Sequence, residues 1–304
     1  MEKVIEIRNL RKAYGDLVAV DDLSFSVGKG ELFAFLGVNG AGKSTTISII
    51  CKTLKKDGGK VYICGKDSDE DCRESARKIG VVFQYSALDK TLSVKDNLIS
   101  RAALYGIFGK AAEARIDELA EKLEFKPLLG KTLSKLSGGQ RRKIDVARAM
   151  LHSPEILILD EPTTGLDPQT RKTLWSFISS LIKTERTTVL LTTHYMEEAA
   201  EADRIIIIDK GKIVAEGTPV ELKNAYTGDF IITYSSREED VASLGLPYER
   251  TGENAYRIAV KDTAAARELL ISRPDIFKDF EVIKGKMDDV FLAVTGIKAG
   301  VDEK

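Results

Sequence analysis

The run GVNGAGKST, Gly37 to Thr45, has the residue types and spacing of a phosphate cradle. Gly37, Gly42, Lys43 and Ser44 take the fixed places of G-x-x-x-x-G-K-[ST]. Glycines let backbone N–H groups curl around a phosphate, and a following helix adds the favourable charge of its N-terminus. Gly37, Asn39, Gly40, Ala41, Gly42, Lys43, Ser44 and Thr45 are therefore the expected phosphate contacts. Lys43 would reach the β- and γ-phosphates, and Ser44 would ligate magnesium. A second run, ILILDEP from Ile156 to Pro162, ends an apolar stretch on two acids. Asp160 suits the magnesium carboxylate. Glu161 suits the group that polarises an attacking water. The two runs together specify a nucleoside triphosphate and magnesium.

The elements that must position these residues are legible around them. ELFAFL (Glu31–Leu36) reads as a buried strand before the cradle, and Ser44–Leu54 as the helix after it. Further strands are expected at Val4–Ile7, Leu23–Val27, Val61–Gly65, Ile79–Phe83, Ile156–Leu159, Thr188–Thr192, Ile205–Asp209 and Lys212–Glu216. Helical spacing covers Val94–Leu104, Ala111–Lys122, Arg171–Lys183 and Met196–Ala202. Buried apolar strands alternating with helices imply an α/β core. After about Tyr226 the pattern becomes a small α+β unit: strands at Phe230–Tyr234, Tyr256–Val260 and Phe280–Ile283, helices at Thr263–Ile271 and Met287–Val294. The last few residues are expected to be frayed.

Composition narrows the class. The chain has 304 residues, 43% hydrophobic and 31% charged, which is ordinary for a soluble globular protein. Its 46 basic and 47 acidic side chains leave a net charge of −1. No bulk electrostatic case for nucleic acid exists, and none is expected as a partner. Cys51, Cys64 and Cys72 fit no zinc spacing, and their odd number argues against a disulfide framework. Reduced thiols in a cytosolic protein are the expectation. MEKVIEIRNL has no apolar core of a secretory signal. Runs such as Ile205–Ile208 are too short to span a bilayer, so any membrane span must come from another chain.

A third run decides which nucleotide protein this resembles. In LSKLSGGQRRKIDVARAM, Leu133 to Met150, Ser137-Gly138-Gly139 sit at the mouth of a basic amphipathic helix. A glycine inside a helix costs roughly 1 kcal/mol against alanine. Ser137 is a sound helix N-cap. Glycines there also let backbone N–H groups approach a phosphate. LSGGQ resembles the signature of the ABC ATPases, which meets the γ-phosphate of an ATP held by the partner subunit. The other family motifs follow in order. Tyr14 in RKAYG matches the aromatic that stacks on adenine. Gln84 in VVFQYSALD matches the glutamine that senses magnesium and couples to the transmembrane partner. Asp167 in TGLDP matches the loop that crosses the dimer interface, and His194 in LLTTHYMEEA the switch histidine at the γ-phosphate. GLDPQTR, TTHYMEEAAEADRI, KGKIVAEGT and the tail KMDDVFLAVTG (Lys286–Gly296) resemble the ATP-binding subunits of drug and antibiotic efflux. Val38 departs from the proline common at its place, which is a variable position.

The resemblance implies an ABC-type ATPase domain over 1–225, with a mixed-sheet core and a helical subdomain near 86–150, then an accessory α+β domain over 226–304. It implies Mg-ATP held by Lys43, Ser44, Asp160 and Gln84 of one chain and closed over by Ser137, Gly138, Gly139 and Gln140 of a second copy. Glu161, His194 and Gln84 would be the catalytic set. The implied partners are a polytopic membrane permease and a head-to-tail homodimer, on the cytoplasmic face of the cell membrane. The competing reading is a soluble ABC-type ATPase of iron–sulfur assembly, translation or repair. Repair members carry long coiled coils and translation members carry two cassettes, neither of which is seen here. A P-loop kinase gives no reason for LSGGQ.

Overall fold

A computed structural model describes residues 2–234 and 236–296. The expected fraying of the last residues lies outside them. The chain divides into two compact units, one reaching Glu216 and the other starting at Gly217.

In the first unit β1 (Lys3–Tyr14) and β2 (Leu17–Gly28) form a long hairpin, followed by β3 (Leu32–Leu36), α1 (Lys43–Ile50), β4 (Gly58–Ile63) and β5 (Lys66–Asp67). Strands β2-β1-β4-β5 make an antiparallel sheet. Next come α2 (Cys72–Lys78) and β6 (Ile79–Val82), then three helices: α3 (Val94–Ala103), α4 (Gly109–Lys122) and α5 (Gly138–Met150). The chain returns through β7 (Ile156–Asp160), α6 (Pro168–Ser180), β8 (Thr188–Thr193), α7 (Met196–Ala199), β9 (Arg204–Asp209) and β10 (Lys212–Gly217).

The second sheet runs β10-β9-β3-β8-β7-β6. Its pairs β9·β3, β3·β8, β8·β7 and β7·β6 are parallel. A parallel sheet is covered on both faces, so its strands read as unbroken apolar runs. LFAFL, ILILD and TVLLTT are buried at every position. Register then sets the site. Leu36 pairs with Thr193, and Asp160 with Thr192. The cradle, the acidic pair and the histidine loop therefore leave the carboxyl ends of adjacent strands, where open α/β sheets place ligands. One apolar core lies beneath, with Phe25 stacked between Phe33 and Phe35 at 5.6 and 5.4 Å.

Helices α3, α4 and α5 pack on one another. Ser93 caps α3 by accepting from the Asp96 amide. The buried Asn97 side chain accepts from the Asp89 amide and donates to the Asp89 carbonyl, fixing the approach to that helix.

The second unit opens with α8 (Pro219–Tyr226), then runs β11 (Asp229–Thr233), α9 (Glu238–Ala242), β12 (Tyr248–Gly252), β13 (Ala255–Val260), α10 (Thr263–Ser272), β14 (Phe280–Lys284) and α11 (Met287–Thr295). This βαββαβ order forms an antiparallel sheet β12-β13-β11-β14. Ile231, Ile258 and Val260 pack with Ala266 of α10 in its core. The tail motif has a structural reason. Met287, Val290 and Phe291 bury one face of α11, which packs on α8. Asp289 pairs with Arg257 at 2.7 Å, and Gly296 ends the helix in the left-handed region. That pairing of α8 with α11 is why the division falls ahead of α8.

Candidate nucleotide site

The cradle is built against its own sheet. Gly42 has φ 106°, and a Cβ there would lie 2.4 Å from the Ala19 carbonyl oxygen; at Gly37 it would lie 2.6 Å from that of Ile208. Neither position admits a side chain. The Gly211 amide donates to Ala41 O at 3.0 Å, tying the loop to the β9–β10 turn. Lys43 is 4% exposed, and its ammonium donates to Gly37 O and Val38 O at 2.8 and 2.9 Å. Burial pushes its pKa down, while Glu161 and Asp160 oppose that shift. Asn39, Gly40 and Ser44 are exposed, and Ala41 is buried with Thr45 half-buried beside them.

The acidic pair meets the cradle. Ser44 Oγ lies 3.2 Å from Asp160 Oδ1, and Thr192 Oγ1 donates to that same oxygen at 2.6 Å. Glu161 Oε1 lies 3.8 Å from Lys43 Nζ and 3.4 Å from His194 Nδ1. Its backbone sits in the left-handed region at φ 46°. Such a residue stores roughly 1–3 kcal/mol of strain and persists only where its surroundings over-determine it. Here the Glu161 amide donates to Thr192 Oγ1 at 3.0 Å, and Arg142 donates to the Glu161 carbonyl at 3.0 Å.

The glycine signature opens α5 as a capping box. Ser137 Oγ accepts from the Gln140 amide, and Gln140 Oε1 from the Ser137 amide. The two glycines differ. A Cβ on Gly139 would press on Thr170 at 3.0 Å, whereas one on Gly138 would meet nothing within 4 Å. Packing within this chain explains Gly139 and leaves Gly138 unexplained. Asp167 caps α6 by accepting from the Thr170 amide and hydroxyl at 2.9 and 2.6 Å, which hold its pKa down. Tyr14 closes the β1–β2 hairpin, 49% exposed, with Lys12 Nζ 5.5 Å from its ring centre. Gln84 is exposed and lines a cleft of about 410 Å³ with Tyr85, Gly138, Arg141, Asp145 and Glu161.

Three supports were not singled out from sequence. Arg142, at the end of the signature run, is 9% exposed and donates to the carbonyls of Phe83, Asp160, Glu161 and Pro162 at 2.6 to 3.0 Å. Buried Glu198 accepts from Thr163 and from Thr193. It joins the segment after Glu161 to the strand before His194. Thr192 is the third. Only the position of Arg142, two residues past Gln140, offered a signal in sequence. Among the described residues no cluster of three or more His, Cys, Asp or Glu could hold a metal. The three cysteines are free, and burial pushes the Cys51 thiol up to about 12.

Comparison with known proteins agrees with this geometry. The family described as ABC transporter matches residues 20–164. The Nod factor export ATP-binding protein I of Burkholderia orbicola is 35% identical over 298 residues, covering 96% of this chain and 97% of the relative. The chain belongs to the ABC transporter ATP-binding family. The daunorubicin resistance ATP-binding protein of Streptomyces coeruleorubidus is also 35% identical, over 94% of this chain and 93% of its own length. A dimeric bacterial ABC transporter cassette superposes with TM-score 0.66 and 28% identity, covering 70% of this chain and 98% of that one. A post-hydrolysis cassette dimer bound to ADP and Pi gives the same TM-score at 27% identity. As a member of this family the chain is an ATP-binding, ATP-hydrolysing subunit that powers a membrane ABC transporter. Among the described residues no helix is long and apolar enough to cross a membrane.

Proposed function

We propose that this chain is the ATPase of an exporter whose cargo is a drug, an antibiotic or another amphipathic molecule. The export reading rests on the relatives named for Nod factor export and daunorubicin resistance. The chain works on the cytoplasmic face of the membrane, bound to a polytopic permease, as a head-to-tail homodimer. The first unit is the ATPase domain and the second, α8 included, the accessory domain, so the boundary expected after residue 225 moves ahead of α8.

The observation that carries the mechanism is the meeting of Glu161, Lys43 and His194 within 3.8 Å, beside the Ser44–Asp160 pair. Tyr14 stacks on adenine. The cradle from Gly37 to Thr45 wraps the phosphates, and Lys43 turns from its own loop carbonyls to the β- and γ-phosphates. The Ser44 hydroxyl, the Asp160 carboxylate and the Gln84 carboxamide are hard oxygen donors. Magnesium bound chiefly through one carboxylate and substrate phosphates fits that set. Held there by Ser44, Asp160 and Gln84, magnesium would supply neutralisation of the charge that develops on the phosphates. Glu161 accepts hydrogen bonds from the attacking water and orients it in line. His194 holds the γ-phosphate. Gly138 lacks an intrachain reason to be glycine, which supports approach by an ATP bound to the second copy. Ser137, Gly139, Gln140 and Asp167 complete that face.

The export reading is tested by purifying tagged protein from gently solubilised native membranes with Mg-ATP. Mass spectrometry is expected to find a polytopic membrane protein bound to it. Recovery of only ribosomes, nucleic acid or iron–sulfur proteins would overturn it.

A further inference from the structure

One buried carboxylate lines the Gln84 cleft but has been given no role so far. Asp145 lies on α5 and is 3% exposed. Its Oδ1 accepts from Ser86 Oγ at 3.0 Å, and the Ala87 amide also points toward the carboxylate. Ser86 and Ala87 belong to the segment that follows Gln84. That segment is otherwise open to solvent, with Tyr85 84% exposed. From α3, Arg101 donates to the Ala87 carbonyl at 2.7 Å. The loop is thus exposed from Gln84 to Ala87, anchored at Ser86 and Ala87, and ends in the buried Leu88.

An aspartate is a poor choice for a helix interior on packing grounds. It is a weak helix former, and burying a carboxylate costs free energy unless it is hydrogen-bonded. The groups facing it are Ser86 and Ala87 from the loop and Arg142 and Arg148 from its own helix. Arg148 Nε stands 3.8 Å from Oδ1, and its Nη2 donates to the Val81 carbonyl at 2.5 Å. The same helix holds, through Arg142, the carbonyls of Phe83, Asp160, Glu161 and Pro162. Helix α5 therefore grips the ends of β6 and β7 with an arginine and the Gln84 loop with an aspartate.

We propose that Asp145 is a positioning residue that latches the Gln84 loop to α5, so that Gln84 and the Ser137–Gln140 turn move as one body. A displacement of the loop by a docked membrane partner then reaches the face that closes over the second nucleotide. The proposal rests on the reading of Gln84 given above.

The test uses Ser86→Ala, Asp145→Ala, their double variant, Asp145→Asn and Gln84→Ala in the full chain. Backbone hydrogen exchange across 84–88 is measured beside the magnesium concentration for half-maximal ATP turnover. Loss of a hydrogen bond to a charged group should speed loop exchange about tenfold, while the cradle at 37–45 keeps its protection. Both single variants should raise the magnesium midpoint, as Gln84→Ala does. The double variant should be no worse than Asp145→Ala, because the two share one interaction. Asp145→Asn keeps an acceptor oxygen and should fall between. Ser86 is exposed, so Ser86→Ala still reads the latch if Asp145→Ala does not fold. Wild-type loop exchange in the single variants, or fully additive effects, would overturn the latch alone. A wild-type magnesium midpoint in Gln84→Ala would remove the reading of Gln84 and the latch with it.

Discussion

At the residue scale, the chemistry depends on a backbone held where a glutamate does not sit by preference. The left-handed conformation of Glu161 is maintained by donors and acceptors from Thr192 and Arg142. Thr192 has two tasks: its hydroxyl donates to Asp160 and accepts from the Glu161 amide. Thr192→Val keeps the shape and removes both. Hydrogen bonds that support a ligating carboxylate in this way are worth factors of about 10 to 100 in activity. The variant should lose that much kcat with KM for ATP little changed, as steady-state kinetics would show. Loss confined to KM would place Thr192 in binding instead. Gly37 and Lys43 stand out in the sequence through a fixed spacing, and Asp160 as an acid that ends an apolar run. Thr192, Arg142 and Glu198 do not. A threonine in a strand and an arginine in a basic helix are ordinary, and only the fold shows what they touch.

At the scale of elements, the buried parallel strands were legible, and so were β10, β11, β13 and β14, whereas the full length of β1 and the whole of β12 were not. LFAFL, the ILIL of β7 and the VLL of β8 are apolar runs in strands buried at every position. The opening strand, expected over Val4–Ile7, continues to Tyr14. Irregular register after Ile7, with Asn9 at φ 47°, breaks the alternation that would have revealed it. Strand β12 is exposed at every residue and so has no pattern to read. The helical subdomain holds a titrating stack. The His152 ring lies 3.8 Å from that of Tyr105 at an interplanar angle of 2°, joining the ends of α5 and α3. Burial, with Arg148 and Arg115 near, pushes its pKa down to about 4. The unfolded chain then binds more protons than the folded one below about pH 6.5, so stability falls with pH down to about 4. Allowing for partial exposure, that loss should be about 1–2 kcal/mol. Urea unfolding at pH 7 and pH 4.5 should show His152→Phe, which keeps the stack, losing less stability than wild type. Equal losses would remove His152 from the acid response.

At the scale of the whole molecule, the proposed mechanism gives one chain two half-sites and lets it complete neither. In that proposal Lys43, Asp160 and Glu161 would hold one side of a nucleotide. The α5 turn presents Gly138 to open space, and the family match to dimeric cassettes supplies the symmetry that would fill it. The tail motif was legible as a resemblance, but its reason, the seating of α11 on α8, needed the fold. The most direct test of the account is the oligomeric state and turnover of Glu161→Gln with Mg-ATP, by light scattering and phosphate release. The account predicts a stable ATP-bound dimer with kcat at least about 100-fold below wild type. A Glu161→Gln protein that turns over at the wild-type rate, or stays monomeric with ATP bound, would contradict it.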